Sequence, residues 1–190
     1  MGSTERRERE KQARKDQILD AARSLLFKKG LHATTINQIA KLSELSVGTI
    51  YLYYKNKEEI FAALQEEGFG VMFKLISKAE SKSSDPFERV RNIAMTYVEF
   101  SEKYRDYFDI LNYFLSTPEL LFPPVLKSRI DRTAGRSLNV LIRAMESGVE
   151  SGAFKKMDPE KHAVSLWAAL HGLIHFKKLE KTMLATENYR

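Results

Sequence analysis

The chain contains no cysteine among its 190 residues. That excludes a disulfide framework, thiolate-ligated zinc and a cysteine nucleophile, and it suits a reducing cytoplasm. Proline is scarce, at 5, and glycine amounts to only 9. Turn-rich low-complexity stretches and internal repeats are absent, and no run of β-branched residues alternates as a strand would. Long apolar runs are missing too. The longest, around Val164 to Phe176, is broken by Ser165, His171 and His175. It is too short and too polar to span a bilayer, so no membrane partner is expected. The charged N-terminus lacks the apolar core of a secretory signal. There is no GxSxG, Walker or dinucleotide glycine motif and no convincing carboxylate pair, so the expectation is a non-enzyme without a cofactor. His171 and His175 have the i, i+4 spacing of a metal pair. They lack the glutamate of an HExxH pattern and a third ligand nearby, and read as core or interface histidines with no metal.

What is present is helical patterning and basic charge. Lys+Arg number 31 and Asp+Glu 25, a net charge of +6. Residues 1–60 hold 12 basic and 8 acidic residues and so carry +4 of it. A basic N-terminal third suits a polyanion. After a charged lead-in over residues 4–16, Ile18, Ala21, Ala22, Leu25 and Leu26 form one apolar helix face. The lead-in reads as a solvated extension of that helix rather than a DNA-contacting arm. Gly30 stands where a left-handed cap would end it. Thr35 and Gln38 spell a capping box for a second helix, with Ile36, Ile39 and Ala40 inward. Ser46 caps a third, through about Tyr53. Asn56 caps a fourth, with Glu58 and Glu59 favoured in its first turn by the helix dipole. That helix continues to about Ala79, and Ser81 to Asp85 form a loop.

Further helices are expected over roughly Pro86 to Tyr104 and Tyr107 to Leu115. Thr117-Pro118-Glu119 predicts a short helical turn. A long helix opens at Pro123-Pro124 and ends at Gly152, and another opens at Asp158-Pro159-Glu160 and runs to about Lys181. The fold class is all-α: an N-terminal three-helix helix-turn-helix domain over 1–56, then a helical regulatory and dimerisation bundle over 57–190.

The stretch from Thr34 to Lys57 has the layout of a helix-turn-helix that docks on DNA. A recognition helix must carry small or polar residues at its N-terminal turn, and Ser46, Val47, Gly48 and Thr49 meet that demand. Gly48 lets the backbone approach closely; Val47 and Thr49 can touch base edges or a thymine methyl. Ile50 points into the small core. Tyr51, Tyr53, Lys55 and Lys57 can reach phosphates, which position the protein without reading sequence. Thr34 and Thr35 are expected to offer backbone amides to another phosphate. A plain helical hairpin with solvated lysines is the competing reading. The capping, the small residues and the aromatic-basic exit occur together here, which favours DNA.

These residues resemble the TetR family of bacterial transcriptional regulators. The pattern is Ile18-Leu19-Asp20-Ala21-Ala22, Phe27, Gly30, Thr35, Ile39-Ala40 and the run Val47 to Glu59. One departure stands in the turn, where the family often has glycine and this chain has Glu44. The resemblance implies a homodimer on an inverted-repeat operator in duplex DNA. It also implies a small-molecule effector held by the C-terminal bundle, whose binding moves the fourth helix and releases the DNA. The C-terminal half matches loosely, through Gly148 to Phe154, Asp158-Pro159 and Gly172. A second dimerisation helix normally closes the family's interface, and Thr182 to Arg190 are too few for one. Either the chain extends beyond the residues given or the interface is built differently.

Aromatic and thioether residues are dense after residue 68. They read as core one by one, and together as a pocket for a largely apolar, aromatic or acyl ligand. The residues expected to line it are Met72, Tyr97, Phe100, Tyr113, Phe114, Trp167 and His171. Gly68 and Gly70 lie inside the fourth helix, where each costs about 1 kcal/mol against alanine. They suggest either close helix packing or a softened link between the two halves. The expected function is a ligand-responsive repressor; the alternative is a DNA-binding protein with a structural role and no effector.

Overall fold

The structure is a computed structural model that describes residues 2–30, 32–115 and 122–183. The described residues form eight α-helices and no strand. They are α1 (Ser3–Lys29), α2 (Ile36–Leu42), α3 (Val47–Tyr53), α4 (Lys57–Glu80), α5 (Pro86–Lys103), α6 (Arg105–Leu115), α7 (Pro124–Glu150) and α8 (Pro159–Met183). The turn expected at Thr117-Pro118-Glu119 lies outside the described residues.

Local chemistry sets most of the helix ends. The charged lead-in is the first half of α1, where Arg6 pairs with Glu10 one turn on. α1 stops at Gly30, whose φ of 76° and ψ of 174° lie in a region that only glycine enters freely. The expected capping box is formed: Thr35 Oγ1 accepts from the Gln38 amide, and Gln38 Oε1 accepts from the Thr35 amide. Ser46 Oγ accepts from the Thr49 amide to cap α3, and Asn56 Oδ1 accepts from the Glu59 amide at the start of α4. Asp85 caps α5 through the Glu88 amide, with Pro86 in its first turn.

Contacts divide the chain into two compact units. The first comprises residues 1–67 and 114–130, the second residues 68–113 and 131–190. The expected boundary at 56/57 coincides with the start of α4, whereas the units divide further along that helix, between Glu67 and Gly68.

The core of the first unit is built on Ile18, Ala22, Ile39, Ile50, Ile60 and Phe61, all at most 1% exposed. α1 packs on α2, and α2 on α3. Tyr54 closes the exit from α3 and is buried. Burial first, then the carboxylates of Asp16 and Glu67, push its phenol up to about 12. It is therefore neutral and part of the core rather than an ionisable surface group.

The second unit packs α5 against α8. Phe100, Phe108, Ile110, Leu141 and Ala163 are buried there. Arg89 joins three segments, donating to Glu80 and, at 3.2 Å, to Ser147 Oγ. Arg136 lies 3.9 Å over the Phe73 ring. A Cβ at Gly68 would stand 3.3 Å from Tyr107 and 3.4 Å from Leu111, so close approach of α4 to α6 accounts for that glycine. Nothing lies within 4 Å of a Cβ at Gly70. Gly148 is the tightest case: a Cβ there would overlap the Phe154 ring. Phe154 folds back over α7, its amide bonded to the Gly148 carbonyl at 2.9 Å and its ring edge-on to Phe87.

Candidate functional site

The helix-turn-helix is assembled by its turn. After Leu42 the chain passes through Ser43, Glu44 and Leu45. The Leu45 amide donates to Ala40 O at 3.0 Å and the Glu44 amide to Lys41 O at 3.4 Å. Those two bonds are the Schellman pattern that closes a helix end. The pattern needs a left-handed residue, and Glu44 supplies it with a φ of 54°. The turn therefore puts a non-glycine residue in the left-handed region, and bears the strain of doing so. Gln17 of α1 fixes the turn from below, donating to Ser43 O at 2.6 Å.

Ile50, fully buried, anchors α3 and fixes which face points away from the unit. Ser46 and Gly48 are exposed, and Val47 and Thr49 are half-buried. Thr49 Oγ1 lies 2.8 Å from Ser46 Oγ, so the two hydroxyls form one polar pair at the helix start. A Cβ on Gly48 would meet only Ser46 Oγ, at 3.7 Å. Its φ is not positive, so the chain's own fold gives no reason for glycine there. Tyr51 is 51% exposed, Lys55 is exposed, and Tyr53 and Lys57 are half-buried at the flank. The Lys55 amide is held by Glu59 Oε2 at 2.8 Å, which fixes the start of the basic exit.

One expectation is corrected. Thr34 is 0% exposed, and its hydroxyl donates to Gly30 O at 2.7 Å. It ties the end of α1 to the start of α2 and cannot face a phosphate. The Thr35 amide is occupied as well, by Gln38 Oε1. The first-turn amides of α2 left without an intrahelical or capping partner are those of Ile36 and Asn37. Sequence reasoning also passed over Leu52, which is 82% exposed on α3. The signal was its register, one turn beyond Gly48 and Thr49.

In the second unit, Tyr97, Trp167 and His171 come together although 74 residues separate the first from the last. The Tyr97 and Trp167 ring centroids are 4.5 Å apart, and Tyr97 Oη lies 2.8 Å from His171 Nδ1. The Tyr97–His171 bond runs in the direction that the His171 tautomer sets. Burial pushes the Tyr97 phenol well above its ordinary value. Burial first, then the neighbouring His175, hold His171 below 6.5. Phe108 completes the cluster, 5.9 Å from His171 and 6.0 Å from Tyr97.

The other expected pocket residues scatter. Met72 and Phe100 are buried core, Tyr113 is 38% exposed, and the Phe114 side chain lies outside the described residues. An open apolar cavity of about 740 Å³ occurs elsewhere in the unit, lined by residues that include Phe87, Met145, Phe154 and Leu166. None of the expected pocket residues lines it. Among the described residues no cluster of three or more His, Asp or Glu could hold a metal. No described helix is long and apolar enough to cross a membrane.

Residues 18–64 match the family model of bacterial regulatory proteins of the tetR family. Residues 90–186 match the model of a tetracyclin repressor-like C-terminal domain. The chain is 29% identical over 151 residues to the HTH-type transcriptional regulator YhgD of Bacillus subtilis, covering 77% of this chain and 75% of that protein. It is 26% identical over 140 residues to a fatty acid metabolism regulator protein of the same organism, covering 74% and 70%. Its fold is similar to the crystal structure of the transcriptional regulator FadR from Bacillus subtilis in complex with stearoyl-CoA. The TM-score is 0.73 and the identity 22%, over 87% of this chain and 88% of that one.

Proposed function

We propose that this chain, which belongs to the TetR family of bacterial regulatory proteins, is a ligand-responsive repressor working in the cytoplasm. Residues 1–56 read the operator, and residues 57–190 bind the effector and dimerise. The observation that carries the reading is the outward face of α3. It combines the exposed Gly48, for which the fold has no internal need, with the Ser46–Thr49 hydroxyl pair and the exposed Tyr51 and Lys55 beside them. Small and polar groups at the helix start suit base edges, and the tyrosines and lysines suit phosphates. Ser46, Val47, Gly48 and Thr49 are assigned to the groove, and Tyr51, Tyr53, Lys55 and Lys57 to the backbone. The helix-end contact of α2 passes from Thr34 and Thr35 to the amides of Ile36 and Asn37.

The active form is a homodimer on an inverted repeat. α8 supports this, because it leaves Leu173 and Phe176, neighbours one turn apart on one face, 63% and 74% exposed. Such a surface calls for a partner. The effector is small and largely apolar. A fatty acyl compound is the class we put forward, supported by the apolar unit and by a relative named for fatty acid metabolism. The aromatic cluster of Tyr97, Trp167 and His171, with Phe100 beside its Phe108 ring, is the assigned effector site; Met72, Tyr113 and Phe114 stay assigned to it on the sequence reading alone. Its Tyr97–His171 pair is the polar handle.

The test is to capture genomic DNA fragments with the purified protein and titrate them with salt. A preferred fragment containing an inverted repeat, whose affinity falls steeply with salt and with added acyl-CoA, is the expected result. Binding with no preferred fragment at any salt concentration would refute it.

A further inference from the structure

α3 carries one side chain that the polar reading of the helix leaves unused. Leu52 is 82% exposed, the most exposed of the large apolar side chains described. Successive residues of an α-helix are turned by about 100°. Measured from the buried Ile50, Gly48 and Leu52 therefore lie about 160° away on either side, the two positions most directly opposed to the core. Thr49 and Tyr51 lie on the flanks, about 100° from Ile50. The centre of the outward face is thus a glycine followed, one turn later, by a leucine.

We propose that Leu52 is a specificity-determining residue that reads the C5-methyl group of a thymine in each operator half-site. The proposal rests on the DNA-binding reading of α3 and deepens it. Gly48 presents no side chain, so nothing on this face holds the helix away from the floor of the groove. Leu52 then arrives at the base edges at the same depth. A leucine side chain has no hydrogen-bond donor or acceptor, so it cannot read the N7, O6, N6 or N4 groups of the major groove. The one apolar group exposed there is the thymine methyl. The surroundings fix the occupant as duplex DNA rather than another protein. The face continues directly into the Ser46–Thr49 hydroxyl pair, Tyr51 and the basic exit at Lys55. A partner protein seated on Leu52 would have to cover those polar groups. A half-site thymine beneath Leu52 needs no such compensation.

The experiment removes the methyl from the DNA and the leucine from the protein, separately and together. Once a preferred genomic fragment is in hand, each thymine of its half-site is replaced in turn by deoxyuridine, which differs only by that methyl. Affinities are measured by fluorescence anisotropy at one salt concentration for the unaltered protein and for Leu52→Ala. Leu52→Ala lies on an exposed face, and its helical circular dichroism confirms folding. The expected result is one position per half-site where deoxyuridine weakens the unaltered protein about three- to tenfold. The same replacement leaves Leu52→Ala unchanged, and Leu52→Ala alone shows the same loss on the thymine operator. A deoxyuridine series that affects both proteins equally at every position would overturn the proposal while leaving the regulator reading intact. Absence of any preferred fragment would overturn the regulator reading, and this proposal with it.

Discussion

Replacing Glu44 by glycine should stabilise the protein although it deletes a side chain. Glu44 holds a φ of 54° at the position where the turn between α2 and α3 demands left-handed backbone. An L-residue with a Cβ loses about 1–2 kcal/mol in that region relative to its preferred conformations. Glycine loses nothing there, but it frees the unfolded chain by about 0.4–1 kcal/mol. The two effects leave a net gain of about 0.5–1 kcal/mol for Glu44→Gly. For a chain of this length that corresponds to a rise of roughly 1–4 °C in melting temperature. The Glu44 side chain is exposed, so its own removal contributes little. Glu44→Ala is the control, since it removes the carboxylate and keeps the Cβ, and its melting temperature should stay within about 1 °C of the original. Thermal unfolding followed by circular dichroism at low salt measures all three. DNA affinity should persist in Glu44→Gly, because the Leu45–Ala40 and Glu44–Lys41 bonds are backbone bonds and survive. If Glu44→Gly melts no higher than Glu44→Ala, the turn stores no relievable strain and the reasoning fails.

Other perturbations follow from single sites. Gly148→Ala forces the Phe154 ring off α7 and away from Phe87; unfolding in urea should show a loss of about 1–3 kcal/mol, and an unchanged midpoint would contradict the packing described. Gly70→Ala meets no neighbour and should gain up to about 1 kcal/mol from helix propensity; if it instead abolishes effector-induced DNA release with folding intact, the softened-helix reading of Gly70 gains support over simple tolerance. His171 is held below 6.5 by burial and by His175, so the unfolded chain binds more protons than the folded one. Stability is then full above pH 6.5 and falls as the pH drops from there towards the folded value. Melting temperatures between pH 8 and pH 5 should decline less steeply for His171→Gln than for the original, and parallel curves would exclude His171 as the source. Tyr51→Ala and Lys55→Ala should weaken binding to every DNA, with Lys55→Ala also lowering the salt slope by about one. Thr49→Ala should change the ranking of operators, and a uniform loss across all of them would deny it a base-reading role.

Local signals were legible in the chain because both partners lie within a few residues of each other. The Thr35–Gln38 box, the Ser46 and Asn56 caps and the stop at Gly30 each form inside one turn of backbone. Periodicity likewise placed Ile18, Ala22, Ile39 and Ile50 inside, since one helix face must be covered whatever covers it. Those same residues carried the family resemblance, so the fold of the head could be read from sequence. Exposure of an individual side chain could not, because it depends on what other segments bring. Thr34, expected to offer its backbone amide to a phosphate, is fully buried, with its hydroxyl on Gly30 O.

The sequence alone determined an all-α fold, the ends of its first helices and a third helix capped by Ser46, all by interactions spanning three or four residues. Only the tertiary structure decided that Tyr97 meets Trp167 and His171 and that Leu52 stands outermost on α3. The first of these is a contact across 74 residues, and the second depends on the burial of Ile50, which turns the opposite face of α3 outward. No local pattern encodes a distance that the rest of the chain must fold to create.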